Sequence, residues 1–211
     1  MPQDVRSLAA ALEAPDQSTI DLGMGGTSLR FFMAQALLRK GPLWLEAHPR
    51  LQQRPLYPLM EALRGLGMTI GEGWPKMLVP PHTPGNRTTL DSGASSQFLS
   101  ALLLVGAFMP QGLKIELLGP VASSSYLDLT LRCLEAWGIR YEGNTSSFKV
   151  HPGHQAPDHF PLEADWSSAV YPLMLAGLQQ RSLQMEGLRP QSGQPDEALR
   201  KLLPALGIAW D

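Results

Sequence analysis

"LTLRCLEAWGIRY", residues 129–141, sets apolar side chains at helical spacing, stops them at Gly138 and resumes as a short strand. A glycine just past the last apolar-periodic residue is the expected helix C-cap, because the chain leaves the helix through a left-handed residue. The pattern recurs twice: "LMEALRGLGMTI" (59–70) stops at Gly67 and "ALRKLLPALGIAWD" (198–211) stops at Gly207, so the glycines are 71 and 69 residues apart. Working outward, "GPLWLEAHP", "QGLKIELLGP" and "RSLQMEGLRP" each predict a short strand ending in Glu46, Glu116 and Glu186, spaced 70 and 70. Upstream, "GGTSLRFFMAQALL", "ASSQFLSALLLVGA" and "DWSSAVYPLMLAGL" each place small hydroxyl residues at a helix start, with Ser28, Ser96 and Ser168 spaced 68 and 72. Three landmarks with one period of roughly 70 residues predict a structural repeat. Each copy reads strand, helix, strand, helix, strand, with a further strand such as "KMLVPP" or "FKVHP" before the next. Any α/β chain alternates helix and strand; matched hydroxyls at equivalent helix starts are what mere alternation lacks.

The phase of the repeat predicts the domain organisation. Residues 4–13, DVRSLAAALE, match the second helix of a further copy, and the sequence reaches Asp211 just after the third stopping glycine. The expected content is the tail of one unit, two whole units and most of a third, the middle of something longer. A partial first domain is expected over 1–158 and the start of a second over 159–211.

Bulk properties exclude several classes. The 17 basic and 19 acidic residues among 211 give a formal charge of −2, so no basic surface advertises nucleic acid. The N-terminus MPQDVRSLAAALEA lacks the apolar core of a signal peptide, and the longest apolar run, near 101–109, is too short to span a bilayer. One cysteine, Cys133, sits in an apolar helical stretch as a structural thiol and fits a reducing cytoplasm. His151 and His154 in "HPGH" flank a Pro-Gly turn without a third ligand nearby, so solvated loop histidines are expected rather than a metal. "GMGG" before a helix lacks dinucleotide-fingerprint spacing.

The stretch "LDSGASSQFLSALLL" (90–104) carries the functional signal. Ser95, Ser96 and Gln97 stand directly before a strongly apolar helix. The first backbone N–H groups of a helix lack partners, and its dipole favours an anion beside them. One serine suffices for a cap. A second with a glutamine points to a ligand.

Five stretches in order, "GMGGTSLRFF", "HPRLQQRPLYPLMEALRGLG", "SSQFLSALLL", "SSSYLDLTLRCLEAWGI" and "EADWSSAVY", resemble the 3-phosphoshikimate 1-carboxyvinyltransferases, or EPSP synthases. The resemblance runs from about residue 4 to 211 and covers the middle half of such an enzyme. The family acting on UDP-N-acetylglucosamine shares the fold, but the R-P after "PRLQQ" and the S-S-Q run fit the shikimate branch better. What the resemblance implies is an α/β (α+β) fold of repeated βαβαββ units, helices inside and sheets outside, an inside-out α/β barrel. It implies transfer of the enolpyruvyl group of phosphoenolpyruvate to the 5-hydroxyl of shikimate 3-phosphate, with neither metal nor organic cofactor. Such a site gathers hydroxyls and cations around phosphate and carboxylate.

Carried over by position, Ser95, Ser96 and Ser123 bind the 3-phosphate of shikimate, Gln97 lies beside both substrates and Tyr126 packs along the shikimate. Gly26 and Thr27 form the loop approached by phosphoenolpyruvate, where a side chain on Gly26 crowds the ligand. Arg50 contacts phosphoenolpyruvate, Arg54 supports its turn, and Asp165 belongs to the crossover into the second domain. Met24 stands where the family has asparagine, and Ser124 and Ser125 where it has a basic residue and proline. The family's catalytic lysine, aspartate and glutamate fall outside these 211 residues. The chain alone is therefore expected to be inactive, a fragment or the partner of a chain supplying the missing units. A non-catalytic, anion-binding paralogue is the alternative.

Overall fold

All three stopping glycines take the left-handed backbone that their place in the sequence demands: φ is +97° at Gly67, +69° at Gly138 and +73° at Gly207. Each closes its helix with the same pair of hydrogen bonds. Gly67 N–H donates to the Arg64 carbonyl and Met68 N–H to that of Leu63; Gly138 and Ile139 bond Glu135 and Leu134; Gly207 and Ile208 bond Pro204 and Leu203. This is the Schellman arrangement, in which a hydrophobic residue after the glycine packs back on the helix. Met68, Leu63, Ile139, Leu134 and Leu203 are all buried.

A computed structural model describes residues 2–122, 124–153 and 159–208. The chain divides into two units, Met1–Ala156 and Pro157–Asp211. In the first, α1 (Gln3–Glu13) precedes β1 (Thr19–Asp21), α2 (Gly26–Gln35), β2 (Leu43–Glu46), a short α3 (Pro49–Gln52), α4 (Tyr57–Gly65), β3 (Thr69–Ile70) and β4 (Lys76–Val79). The same order follows in β5 (Arg87–Leu90), α5 (Ser96–Gly106), β6 (Leu113–Leu117), α6 (Ser124–Ala136), β7 (Tyr141–Gly143) and β8 (Ser147–Val150).

The two sheets share one topology, β1-β2-β4-β3 and β5-β6-β8-β7. In each, the first pair is parallel and the other two are antiparallel. Registers correspond too: Thr19 faces Trp44 as Arg87 faces Lys114, and Leu43 faces Leu78 as Leu113 faces Val150. Alternation along the strands sends Leu43, Leu45, Leu113 and Ile115 into the core, while Lys114 and Glu116 pair outside at 3.2 Å. In α5, Phe98, Leu99, Ala101, Leu102, Leu103 and Val105 are all buried, and so are the polar Ser96 and Ser100. A helix buried on nearly every side belongs in an interior, so helices lie inside and sheets outside.

The second unit contains α7 (Trp166–Leu178) and α8 (Leu199–Leu202), built around buried Trp166, Ala169 and Leu173. The strand expected in "RSLQMEGLRP" is not formed: residues 181–189, with Glu186, are irregular. A strand needs a ladder partner, and no strand follows β8 among the described residues. One backbone bond, Ala164 N–H to the Gly187 carbonyl at 2.8 Å, is made instead. The strand expected after Gly207 falls largely outside the described residues. Asp165, expected in a crossover, caps α7, its carboxylate accepting from the Ser167 and Ser168 amides.

Two stability predictions follow from these ends. A Cβ at Gly138 meets nothing within 4 Å, whereas one at Gly67 comes within 3.1 Å of Pro81 Cβ. Gly138→Ala is expected to cost about 1–2 kcal/mol for the left-handed backbone alone, and Gly67→Ala more, by urea unfolding. At Asp165, burial pushes the carboxyl up, but hydrogen bonds from Ser168 and the Ser167 and Ser168 amides outweigh it, leaving the group below its ordinary value. Its stabilisation is then present above the ordinary aspartate range and lost as pH falls through it toward the lower folded value. The stability advantage of wild type over Asp165→Ala, followed by the Trp166 indole N–H resonance, should hold from neutral down to the ordinary aspartate range and shrink only as the solution is acidified through and below it.

Candidate anion site at two helix starts

The starts of α2 and α5 come together because the two helices pack side by side with one polarity. Phe32 and Gln35 of α2 lie with Ala101 and Val105 of α5 around one apolar cavity, and Thr27 meets Gln97 at the other end. Each start is fixed by its own sheet. The Leu22 amide donates to the Glu46 carbonyl and the His48 amide to that of Gly23; the Leu118 amide donates to the Leu90 carbonyl and the Ala122 amide to that of Ser92. Ser92 Oγ adds a bond to the Gly119 carbonyl at 2.9 Å. The loops before α2 and α5 are thereby tied to those leading to α3 and α6.

At the start of α5, Ser95 is the N-cap, its Oγ accepting from the Gln97 amide at 3.3 Å. Ser96 is the first helical residue and is buried. Gln97 bridges to α2: its Nε2 donates to Thr27 Oγ1 at 3.0 Å and its Oε1 accepts from Arg30 Nη1. Gly26 and Thr27 occupy the first turn of α2. Ser28, the counterpart of Ser96 by spacing, instead donates to the Asp4 carbonyl of α1 at 3.1 Å. Equivalent position does not bring equivalent contacts.

Two arginines flank Gly26. A Cβ built there would lie 3.5 Å from Arg30 Nη1, 3.5 Å from Leu51 Cδ1 and 3.6 Å from Arg54 Nη1. Arg54, expected only to support its turn, thus reaches the loop it was not assigned to. Arg50 is exposed on α3, where its amide donates to His48 Nδ1 at 3.3 Å. Arg30 and Arg54 both bring a guanidinium nitrogen close to Gly26.

Arg30 is absent from the sequence-based expectations. It is 7% exposed, with its guanidinium carbon 5.3 Å from the centre of the Phe98 ring. Burial, and then the charge of Arg54, hold its pKa below the ordinary arginine value. Among the described residues neither arginine forms an ion pair. Its signal was in the sequence: Arg30 lies four residues after Gly26, on the same helix face, and is the one charge in "GTSLRFFMAQ".

Tyr126 is exposed near the start of α6, where its carbonyl accepts from Thr130 Oγ1. Thr130 in turn meets Ser100 Oγ of α5 at 2.7 Å, which fastens the two helices. Ser123 lies outside the described residues, as does His154. His151 pairs with Glu142 at 2.8 Å, so it is not a free loop histidine. Among the described residues no three His, Cys, Asp or Glu side chains gather as metal ligands, and no helix is long and apolar enough to cross a membrane.

Two helix starts joined by Gln97, with the guanidiniums of Arg30 and Arg54 beside Gly26, are the arrangement the fold brings together here. EPSP synthase from Acinetobacter baumannii superposes with a TM-score of 0.59 at 21% identity, over 76% of this chain and 36% of that one. The family model for EPSP synthase (3-phosphoshikimate 1-carboxyvinyltransferase) matches residues 3–211, and the chain belongs to that family. Relatives of that name include those of Methanoculleus marisnigri, 32% identical over 97% of this chain and 50% of the relative, and Halobacterium salinarum, 34% over 93% and 48%. The chain spans about half the length of the curated relatives it matches.

The glycines give a clean contrast. A methyl at Gly26 sits at ordinary contact distances, whereas one at Gly25 comes within 3.0 Å of Asp4 Cβ and Ser28 Oγ. Gly26→Ala is expected to leave the unfolding midpoint in place and weaken phosphate binding. Gly25→Ala is expected to destabilise by about 1–3 kcal/mol through overpacking. Thermal unfolding and phosphate titration of both variants check this.

Proposed function

We propose that the α2–α5 cradle binds the substrates of a 3-phosphoshikimate 1-carboxyvinyltransferase, which moves the enolpyruvyl group of phosphoenolpyruvate to the 5-hydroxyl of shikimate 3-phosphate. In this reading Ser95, Ser96 and Ser123 hold the 3-phosphate, Tyr126 lies along the shikimate ring and Gln97 borders both substrates. Gly26, Thr27 and Arg50, with Arg54 beside Gly26, receive phosphoenolpyruvate. Residues 1–158 belong to a first domain and 159–211 to a second, both built on one repeated βαβαββ unit. Acid and base for the transfer come from residues beyond these 211, supplied in the same polypeptide or by a partner chain, and the reaction runs in the cytoplasm.

The observation that carries this reading is the pair of unpaired arginines beside Gly26, at two helix starts joined by Gln97. Hydrogen bonds to a charged group contribute about 1.5–3 kcal/mol each. Losing the Ser96 hydroxyl should therefore weaken shikimate 3-phosphate binding about tenfold or more. In an NMR titration Ser96→Ala is expected to show that loss and Cys133→Ser, on α6, to match wild type. Equal shifts for Ser96→Ala and wild type would leave the serines as helix caps only. The 211-residue chain tested alone is expected to release no phosphate from the two substrates above a protein-free control.

A further inference from the structure

A guanidinium carries donors only, so where Arg30 Nη1 meets Gln97 Oε1 the carboxamide oxygen must accept. That fixes which end of the Gln97 amide faces which way. Its Nε2 is left to donate, and does so to Thr27 Oγ1 at 3.0 Å. With that lone pair engaged, the Thr27 hydroxyl is free to send its proton outward, and Thr27 is exposed on the first turn of α2 beside Gly26. We infer that Arg30 is a positioning residue that acts on a bound anion through a one-way chain of hydrogen bonds, Arg30 to Gln97 to Thr27, and turns the Thr27 O–H toward the ligand without touching it. The inference rests on the anion-binding reading of the cradle.

Three observations separate this from a merely structural arginine. Arg30 is buried, its Nε finds no hydrogen-bond partner and no carboxylate pairs with it among the described residues. A structural role would be better served by a neutral side chain, since an uncompensated buried charge is costly. The Phe98 face fixes the plane of the guanidinium. Successive donors in a low-dielectric interior polarise one another in one direction, so charge held at Arg30 strengthens the last O–H of the chain.

The first test uses the free chain. In wild type the Gln97 side-chain NH2 resonances should lie away from those of a solvated glutamine, and Arg30→Met should move them there. Unchanged resonances in Arg30→Met overturn the inference. The second test titrates inorganic phosphate. Thr27→Val should weaken binding about tenfold in the wild-type background, the loss of a hydrogen bond to a charged group. In the Arg30→Met background it should cost much less, and Thr27→Ser should restore wild-type affinity. Equal losses in both backgrounds would make Thr27 independent of Arg30.

Gln97→Glu is the third arm and covers the case in which Arg30→Met does not fold. A carboxylate accepts from both Arg30 and Thr27, turning the hydroxyl inward. Phosphate affinity should collapse while the thermal midpoint holds or rises. A Gln97→Glu chain that binds phosphate normally would sink the idea. A wild-type chain with shifted Gln97 resonances but no response to phosphate or shikimate 3-phosphate would instead remove the anion reading, and with it the outward task of Thr27.

Discussion

Two helices of like polarity, α2 and α5, are held side by side so that their unsatisfied N–H groups meet at one end. The arrangement follows from topology. Each helix joins two adjacent parallel strands, β1 to β2 and β5 to β6, and such crossovers take one hand. Because both units cross over in the same sense, both helices begin at the same end of their sheets. Parallel dipoles at close range repel, and two arginines among the described residues add to the positive potential. The apolar surface along α2 and α5, including Phe32, Phe98 and Leu102, holds this unfavourable end together.

An anion is the natural complement of that end. A buried guanidinium loses hydration, and a carboxylate would ordinarily compensate it. Arg30 has a carboxamide oxygen and an aromatic face instead. Both are neutral, so among the described residues the charge has no counter-charge. The hydroxyl-rich start of α7 behaves differently. There Asp165 accepts from Ser167 and Ser168, and Asp196 accepts from the Ser167 hydroxyl. One sequence signature therefore ends in the Thr27–Gln97–Arg30 bridge in one unit and in a self-satisfied cap in the other.

Local rules explain what could be read early. A left-handed residue after a helix calls for glycine whatever surrounds it, so Gly67, Gly138 and Gly207 were legible from spacing alone. The strands around Glu46 and Glu116 were legible because alternation reports a sheet with one buried face. The strand proposed around Glu186 shows the limit of that reasoning: alternation states a propensity, while a strand exists only where another offers its backbone.

The amino-acid sequence by itself determined the stopping glycines, the family and the serine–glutamine start of α5, because each depends on residues near one another in the chain or on matched motifs. Tertiary structure decided which arginines face the cradle. Arg30, Arg54 and Gly26 are separated by turns and a loop, and Gln97 lies 67 residues from Arg30. No local pattern records that they meet. Their convergence depends on two helices distant in the chain packing with one polarity, which brings Gln97 against Arg30 and Thr27 where Arg54 also approaches Gly26.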